Sequence, residues 1–363
     1  MGCRFDCLLG AFAKKLVLFL KLPPERERML ITVFTLLGGL VLLVIGGELL
    51  VRGSVRVAEK LGVSPLLIGL TLVGFGTSTP ELVTSVEASL IGSPGIAIGN
   101  IVGSNTANIL LILGASAIIF PLAVTSSALL RDGSFVIICA LAFTLVGYTV
   151  GLTLPIGLLF IAALISYMVY AYMQERNTTT VAAQGHTAAY DRGKAFEEVE
   201  PAFAAHTPEA GGGVLSWALP ILGAIGGLAV IILGGKLLVD AAVDLARTLG
   251  MSETVIGLTI VAIGTSMPEL VTSVVAAIRK QTDIAVGNIL GSNIYNVLGI
   301  GGVTALIAPT GFPAEIVSFD NWVMVGASVL LFAFALNGKI SRAEGAIMVA
   351  AWAAYIGWLI SQA

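Results

Sequence analysis

Gly76-Thr-Ser-Thr-Pro-Glu-Leu-Val-Thr-Ser-Val86 returns, with one residue changed, as Gly264-Thr-Ser-Met-Pro-Glu-Leu-Val-Thr-Ser-Val274. Downstream of each copy lies a second matched pair, Gly99-Asn-Ile-Val-Gly-Ser-Asn105 and Gly287-Asn-Ile-Leu-Gly-Ser-Asn293. Both recur at an offset of 188 residues, and the register holds without a gap from Ile45 through Asn108 against Leu233 through Asn296. Neither chance nor low complexity produces such a match, so the chain carries two copies of one unit.

The surroundings of the motifs are strongly apolar. Hydrophobic residues make up 57% of the chain and charged ones 11%, far from the balance of a soluble globular domain. Runs long enough to cross a bilayer, roughly 20 residues each, lie at residues 30–51, 64–91, 95–121, 134–152 and 154–173. Five more lie at 215–238, 252–278, 284–309, 319–336 and 343–361. The expected fold is an all-α membrane protein of ten transmembrane helices. It divides into a lead at residues 1–29, a five-helix unit at 30–173, a linker at 174–214 and a second five-helix unit at 215–363. The linker is rich in Thr, Ala, Glu and Gly and reads as a disordered segment. An odd number of spans per unit makes the second copy enter the membrane upside down, the inverted-repeat plan of secondary transporters.

Basic residues should collect on the cytoplasmic side. With the first span starting outside, the inner loops hold Arg52, Arg56, Lys60, Arg131, Arg176, Arg192, Lys194, Arg279, Lys280, Lys339 and Arg342, whereas the outer side after residue 29 holds Lys236 and Arg247. This puts the linker in the cytoplasm and the C-terminus outside. Arg4, Lys14, Lys15, Lys21, Arg26 and Arg28 break the pattern, so either Met29 is the true start or the lead is an amphipathic surface segment. The net charge of −3, without a dense basic cluster, indicates the lipid bilayer and small ions as partners and no nucleic acid. No protein partner is implied. Cys3, Cys7 and Cys139 make no disulfide framework, and both histidines, His186 and His206, fall in the linker.

A carboxylate in mid-span costs a few kcal/mol or more and is a functional-site hypothesis by default. Glu81 and Glu269 are such residues, and inverted packing about a pseudo-two-fold axis would bring them face to face. Thr77 and Ser78 stand at i−4 and i−3 from Glu81, on its helix face, and Thr265 and Ser266 repeat this before Glu269. Pro80 and Pro268 cannot bond the carbonyls of Gly76 and Gly264 and push them off the axis. Ser104 and Asn108, one turn apart, and likewise Ser292 and Asn296, add neutral oxygens. Oxygen donors alone suit hard cations, Ca2+ and Na+, whereas soft metals call for His or Cys. Gly99 and Gly103, with Gly287 and Gly291, form faces on which helices approach closely. Asn105 and Asn293 are candidates for a helix-to-helix hydrogen bond or for ion contact. Glu87, opposite Val275 in the repeat, reads as a span-end or vestibule carboxylate, and Glu48 pairs with Lys236 near span ends. Trp217, Trp322 and Trp358 suit an aromatic belt, and Trp352 suits lipid contact or core packing. No cofactor is indicated. A hydrolase built on Ser78 or Ser266 finds no His or Lys in the spans to act as base.

At these residues the chain resembles the Ca2+/cation antiporter superfamily, whose paired repeats carry Gly-Thr-Ser-x-Pro-Glu and Gly-Ser-Asn-x-x-Asn motifs, and within it the Na+/Ca2+ exchangers. The resemblance implies Ca2+ coordination by Glu81 and Glu269 with Thr77 and Thr265. It also implies Na+ sites that add Ser78, Ser266, Ser104, Ser292 and the carbonyls of Gly74 and Ala262. It implies, further, that the first and sixth spans slide across the rest, for which the doublets Gly46-Gly47 and Gly234-Gly235 offer a close contact. Position 296 is Asn where K+-dependent relatives carry Asp, so no K+ requirement is expected. The proton-coupled branch has Gly-Asn-x-x-Glu in place of Gly-Thr-Ser-x-Pro-Glu, which disfavours H+ as counter-ion. The linker is too short for the Ca2+-sensing domain of eukaryotic exchangers. An H+-coupled antiporter on the same scaffold and a passive cation channel are the alternatives.

Overall fold

The described apolar runs fold as helices because a span in lipid must satisfy its backbone polar groups internally. The computed structural model describes residues 24–60, 78–124, 129–177, 214–278, 280 and 282–362. In chain order the helices are α1 (Pro24–Lys60), α2 (Thr79–Leu90), α3 (Pro94–Ile119), α4 (Leu129–Thr149), α5 (Leu154–Asn177), α6 (Val214–Leu249), α7 (Glu253–Thr265) and α8 (Met267–Ile278). Then come α9, running as Thr282–Tyr295, Asn296–Ile300 and Gly301–Ile307, α10 (Ile316–Ala335) and α11 (Arg342–Gln362). The chain is a mostly helical, multi-pass membrane protein. Among the described residues eight helices are long and apolar enough to cross a membrane, and α7 with α8 makes a ninth if that bent pair is one span. The expected span at 64–91 falls partly on residues 61–77, outside those described, as do most of the linker and residues 1–23. Two boundaries differ from expectation: α1 already runs at Pro24, inside the expected lead, and α5 continues to Asn177, inside the expected linker.

The expected span at 252–278 is broken. α7 ends at Thr265, Ser266 leaves helical geometry with φ −84° and ψ 12°, and α8 departs at 50°. Pro268, lacking an N–H, sits in the first turn of α8, where no intrahelical donor is needed. Pro80 occupies the same place in α2.

α1 and α6 are the longest elements, 37 and 36 residues. That is about 55 Å of helix, more than a hydrocarbon core of about 30 Å requires. They lie side by side and antiparallel, in a register that glycines permit. A Cβ on Gly39 would fall 2.8 Å from the Leu238 nitrogen, on Gly46 2.8 Å from that of Ile231, and on Gly53 2.4 Å from that of Ala224. Seven residues separate each glycine from the next, so all three face one seam. From the other side, Gly234 meets the Gly39 carbonyl at 2.9 Å. Gly46 and Gly234 therefore join the two long helices to each other and not to the rest of the bundle. Gly235 alone of the described doublet residues turns to α2, where a Cβ would lie 2.6 Å from Val83 Cγ1.

α3 and α9 run through the middle and are buried almost throughout, while the outer faces of α1, α5, α6 and α11 carry exposed Leu, Ile and Val suited to lipid. α3 packs on α7 through its glycines: a Cβ on Gly99 would lie 3.0 Å from the Leu258 nitrogen, and one on Gly103 2.7 Å from Ala262 Cβ. Both central helices contain a π-helical turn, Asn108–Leu113 in α3 and Asn296–Ile300 in α9. Two short β contacts tie loops at the ends of the helices, β1 (Leu122–Ala123) with β2 (Lys339–Ile340), where Leu122 faces Ile340, and a single bridge between Leu152 and Thr310. Adding 188 to Leu122 and subtracting it from Ile340 gives the second contact, so the halves exchange the same interaction reciprocally. Trp217, Trp322 and Trp358 are exposed, and Trp352 packs against the core. Cys139 is a buried free thiol.

Candidate functional site

The first turns of α2 and α8, each preceded by a serine outside helical geometry, point at one another. Glu81 and Glu269, each 1% exposed, stand in those turns. Their serine neighbours do not share a helix face with them as the spacing predicts, because each serine stands just outside the helix that carries the glutamate, Ser78 with φ −89° and ψ 9° and Ser266 with φ −84° and ψ 12°. Instead the serines cross over. Ser266 Oγ donates to Glu81 Oε1 at 3.0 Å, and Ser78 Oγ donates to Glu269 Oε1 at 3.4 Å. A contact expected to be local is thus a contact between halves, made at helix starts whose first turns hold Pro80 and Pro268.

Two asparagines that spacing alone left without a role hold the turns in place. Asn100 Nδ2 on α3 donates to the Glu81 carbonyl at 3.1 Å and to Ser85 Oγ at 2.9 Å. Asn288 Nδ2 on α9 repeats this with the Glu269 carbonyl at 3.5 Å and Ser273 Oγ at 2.9 Å. The only signal for them in the sequence is membership of the repeated Gly-Asn-Ile segment. Asn100 Oδ1 also accepts from Thr265 Oγ1 at 3.0 Å, so that hydroxyl spends its proton on the scaffold and keeps oxygen lone pairs for other use.

Ser104 and Ala262 meet directly, Ser104 Oγ donating to the Ala262 carbonyl at 3.3 Å. Asn108 Nδ2 donates to Asn293 Oδ1 at 3.1 Å, and Asn293 Nδ2 to the Asn105 carbonyl at 3.4 Å. Asn293 therefore bridges the halves, whereas Asn105 turns back onto its own helix, bonding the Ile101 carbonyl at 2.8 Å. Four polar groups here are fully buried yet incompletely bonded. Ser292 Oγ, Asn108 Oδ1 and both amide atoms of Asn296 have no hydrogen-bond partner among the described residues. Leaving such groups without a partner costs about 1–3 kcal/mol apiece. Thr77 and Gly74 lie outside the described residues. Glu87 is half-buried farther along α2.

The centre therefore gathers two carboxylates, hydroxyls, amide oxygens and a backbone carbonyl, with no sulfur or imidazole among the groups named. Such a set binds hard cations. The family model described as sodium/calcium exchanger protein matches residues 31–173 and 219–361. The sodium/calcium exchanger MaX1 of Methanosarcina acetivorans is 34% identical over 350 residues, covering 88% of this chain and 96% of that protein. The inner membrane protein YrbG of Escherichia coli is 32% identical over 338 residues, covering 91% of this chain and 98% of its own. Among solved structures, the sodium-calcium exchanger NCX_Mj soaked with 10 mM Na+ and 10 mM Sr2+ aligns with TM-score 0.58 at 31% identity, over 90% of this chain and 97% of that one.

Proposed function

The chain belongs to the sodium/calcium exchanger protein family, a family of cation/Ca2+ antiporters, and from that premise we propose that it exchanges Ca2+ for Na+ by alternating access, without K+. The observation that carries the reading is the pair of buried glutamates, each bonded by the serine of the opposite half. Their charge of about −2 balances one Ca2+ or roughly two Na+. Glu81 and Glu269 ligate Ca2+ together with Thr77 and Thr265. The Na+ positions add Ser78, Ser266, Ser104, Ser292 and the carbonyls of Gly74 and Ala262, and Asn108 and Asn296 complete the shell. Emptying the site would leave two like charges close together out of water, a state costly enough to block movement of the bare protein, so exchange is obligatory.

The chain crosses the membrane ten times as two inverted five-helix units, 30–173 and 215–363, with a cytoplasmic linker and an external C-terminus, in the plasma membrane of a prokaryote. The reciprocal contacts at an offset of 188 residues support this plan. Proteoliposomes loaded with Na+ and placed in Ca2+ test the coupling. Uptake without K+ that survives a proton ionophore under voltage clamp is expected. Uptake that demands a pH gradient would transfer the reading to proton coupling, and Ca2+ entry without countertransport would make the protein a channel.

A further inference from the structure

A second set of buried acids lies outside the glutamate site. Asp132 in the first turn of α4 and Asp320, the fifth residue of α10, are 0% and 2% exposed, and they are equivalent under the repeat. Each accepts from a tyrosine 35 residues on: Tyr167 Oη to Asp132 Oδ1 at 3.4 Å, and Tyr355 Oη to Asp320 Oδ1 at 2.8 Å. The environments then part. Arg131 grips Asp132 with two bonds, Nε to Oδ1 at 3.0 Å and Nη2 to Oδ2 at 2.9 Å. The residue equivalent to Arg131 is Phe319, which packs on Trp358 with ring centroids 4.1 Å apart.

Among the described residues nothing around Asp320 replaces that guanidinium. α3 carries no charged residue along its length. The near end of α4 brings Tyr148, bonded by Trp322 Nε1 at 3.0 Å, while Arg131 and Asp132 sit about 24 Å away at its other end. α11 brings Tyr355, its own charged residues Arg342 and Glu344 being three turns back. α7 begins with Glu253 and Thr254, and Thr254 Oγ1 donates to Oε1 of Glu315 at 2.9 Å. Glu315, just before α10, is exposed and adds negative charge. A carboxylate in a membrane span without a counter-charge is among the costliest groups a protein can bury. A metal ion is a poor remedy, since Ca2+ takes six to eight oxygens and Asp320 has one phenol beside it. A proton needs no further ligand.

We propose that Asp320 is a proton site separate from the glutamate pair, taking up, as pH falls below neutral and well before an ordinary carboxylate would, a proton that Arg131 excludes at Asp132. On the topology proposed above it faces the outside, although the assignment of the proton does not depend on the exchange reading. The native state then carries a proton that the unfolded chain, with a solvated carboxylate, does not. Stability contributed by this group is present at low pH and lost as pH rises.

The test is an infrared titration of the purified full chain, saturated with Ca2+ so that Glu81 and Glu269 stay ionised. A protonated-carboxyl band of one group per chain is expected to grow in as pH falls from neutral into the mildly acidic range. It should vanish in Asp320→Asn, persist in Asp132→Asn, and vanish in Phe319→Arg, which installs the missing guanidinium. Should Asp320→Asn fail to fold, Tyr355→Phe serves in its place by shifting the band as the phenol's hydrogen bond is lost. The melting temperature of the unmutated chain should fall as pH rises through the titration, and that of Phe319→Arg should stay flat. A mildly acidic spectrum without such a band, or one that Asp320→Asn and Tyr355→Phe both leave unchanged, overturns the proposal.

Discussion

Glu81 and Glu269 are surrounded alike: each takes a serine hydroxyl from the opposite half and each has its backbone carbonyl held by an asparagine of a central helix. Asp132 and Asp320, related by the same repeat, are surrounded differently, one with arginine and one with phenylalanine at the preceding position. The glutamates meet at the centre, where whatever one half does to a shared guest the other must match. The aspartates lie apart, each facing only its own neighbours, so nothing couples their surroundings. A repeat stays alike where its copies touch a common object and drifts where they do not.

The largest effect should come from breaking the central likeness. Glu81→Gln or Glu269→Gln keeps volume and removes half the charge. Breaking one side of a buried charged site costs about 3–5 kcal/mol, so exchange should fall by about 100-fold or more while the protein still inserts. Na+-driven Ca2+ flux at matched protein levels checks this, and normal flux in either variant would remove the central claim. If the two variants differ greatly, the glutamates are not equivalent.

Next comes the seam between the long helices. Gly46→Leu must push backbone away from backbone, and overpacking of this kind typically costs about 1–3 kcal/mol. A lower melting temperature is expected, with slower exchange in the folded fraction. Gly226→Leu, where nothing lies within 4 Å of an added Cβ, should change neither quantity and separates the seam from the mere presence of glycine.

The crossed serines should have smaller effects, of unequal size. A hydrogen bond to a charged group contributes about 1.5–3 kcal/mol, so Ser266→Ala should weaken apparent Ca2+ affinity by about tenfold or more. Ser78→Ala removes a longer bond, 3.4 Å against 3.0 Å, and should cost less. Flux titrated against Ca2+ reads both, and a larger loss for Ser78→Ala would reverse the expected asymmetry.

The smallest and most diagnostic change is Asn296→Asp. It adds a third carboxylate that must take up a proton or recruit another monovalent cation. Flux should become sensitive to pH or to K+, measured by varying each at constant Na+ and Ca2+, while retaining Ca2+ transport. Asn108→Asp should behave the same way if the halves are equivalent there, and a one-sided response would mark where the likeness ends.

The sequence by itself determined that the chain is a membrane protein built from two copies of one unit, that two glutamates lie in its spans, and that oxygen is the donor element around them. Hydropathy and identity along the chain carry that information directly, because lipid tolerates buried charge only where it serves a purpose. Tertiary structure alone decided which partner each group meets. The serines cross to the opposite half because each stands at a helix start outside helical geometry and not on a continuous face. Asn100 and Asn288 become braces, and Gly46 and Gly234 join the long helices instead of touching the core. Asp320 is left without the cation that Asp132 enjoys. Spacing along one helix reports which residues share its face, but it says nothing of which distant helix that face will meet, and close packing between distant helices is what fixes the chemistry here.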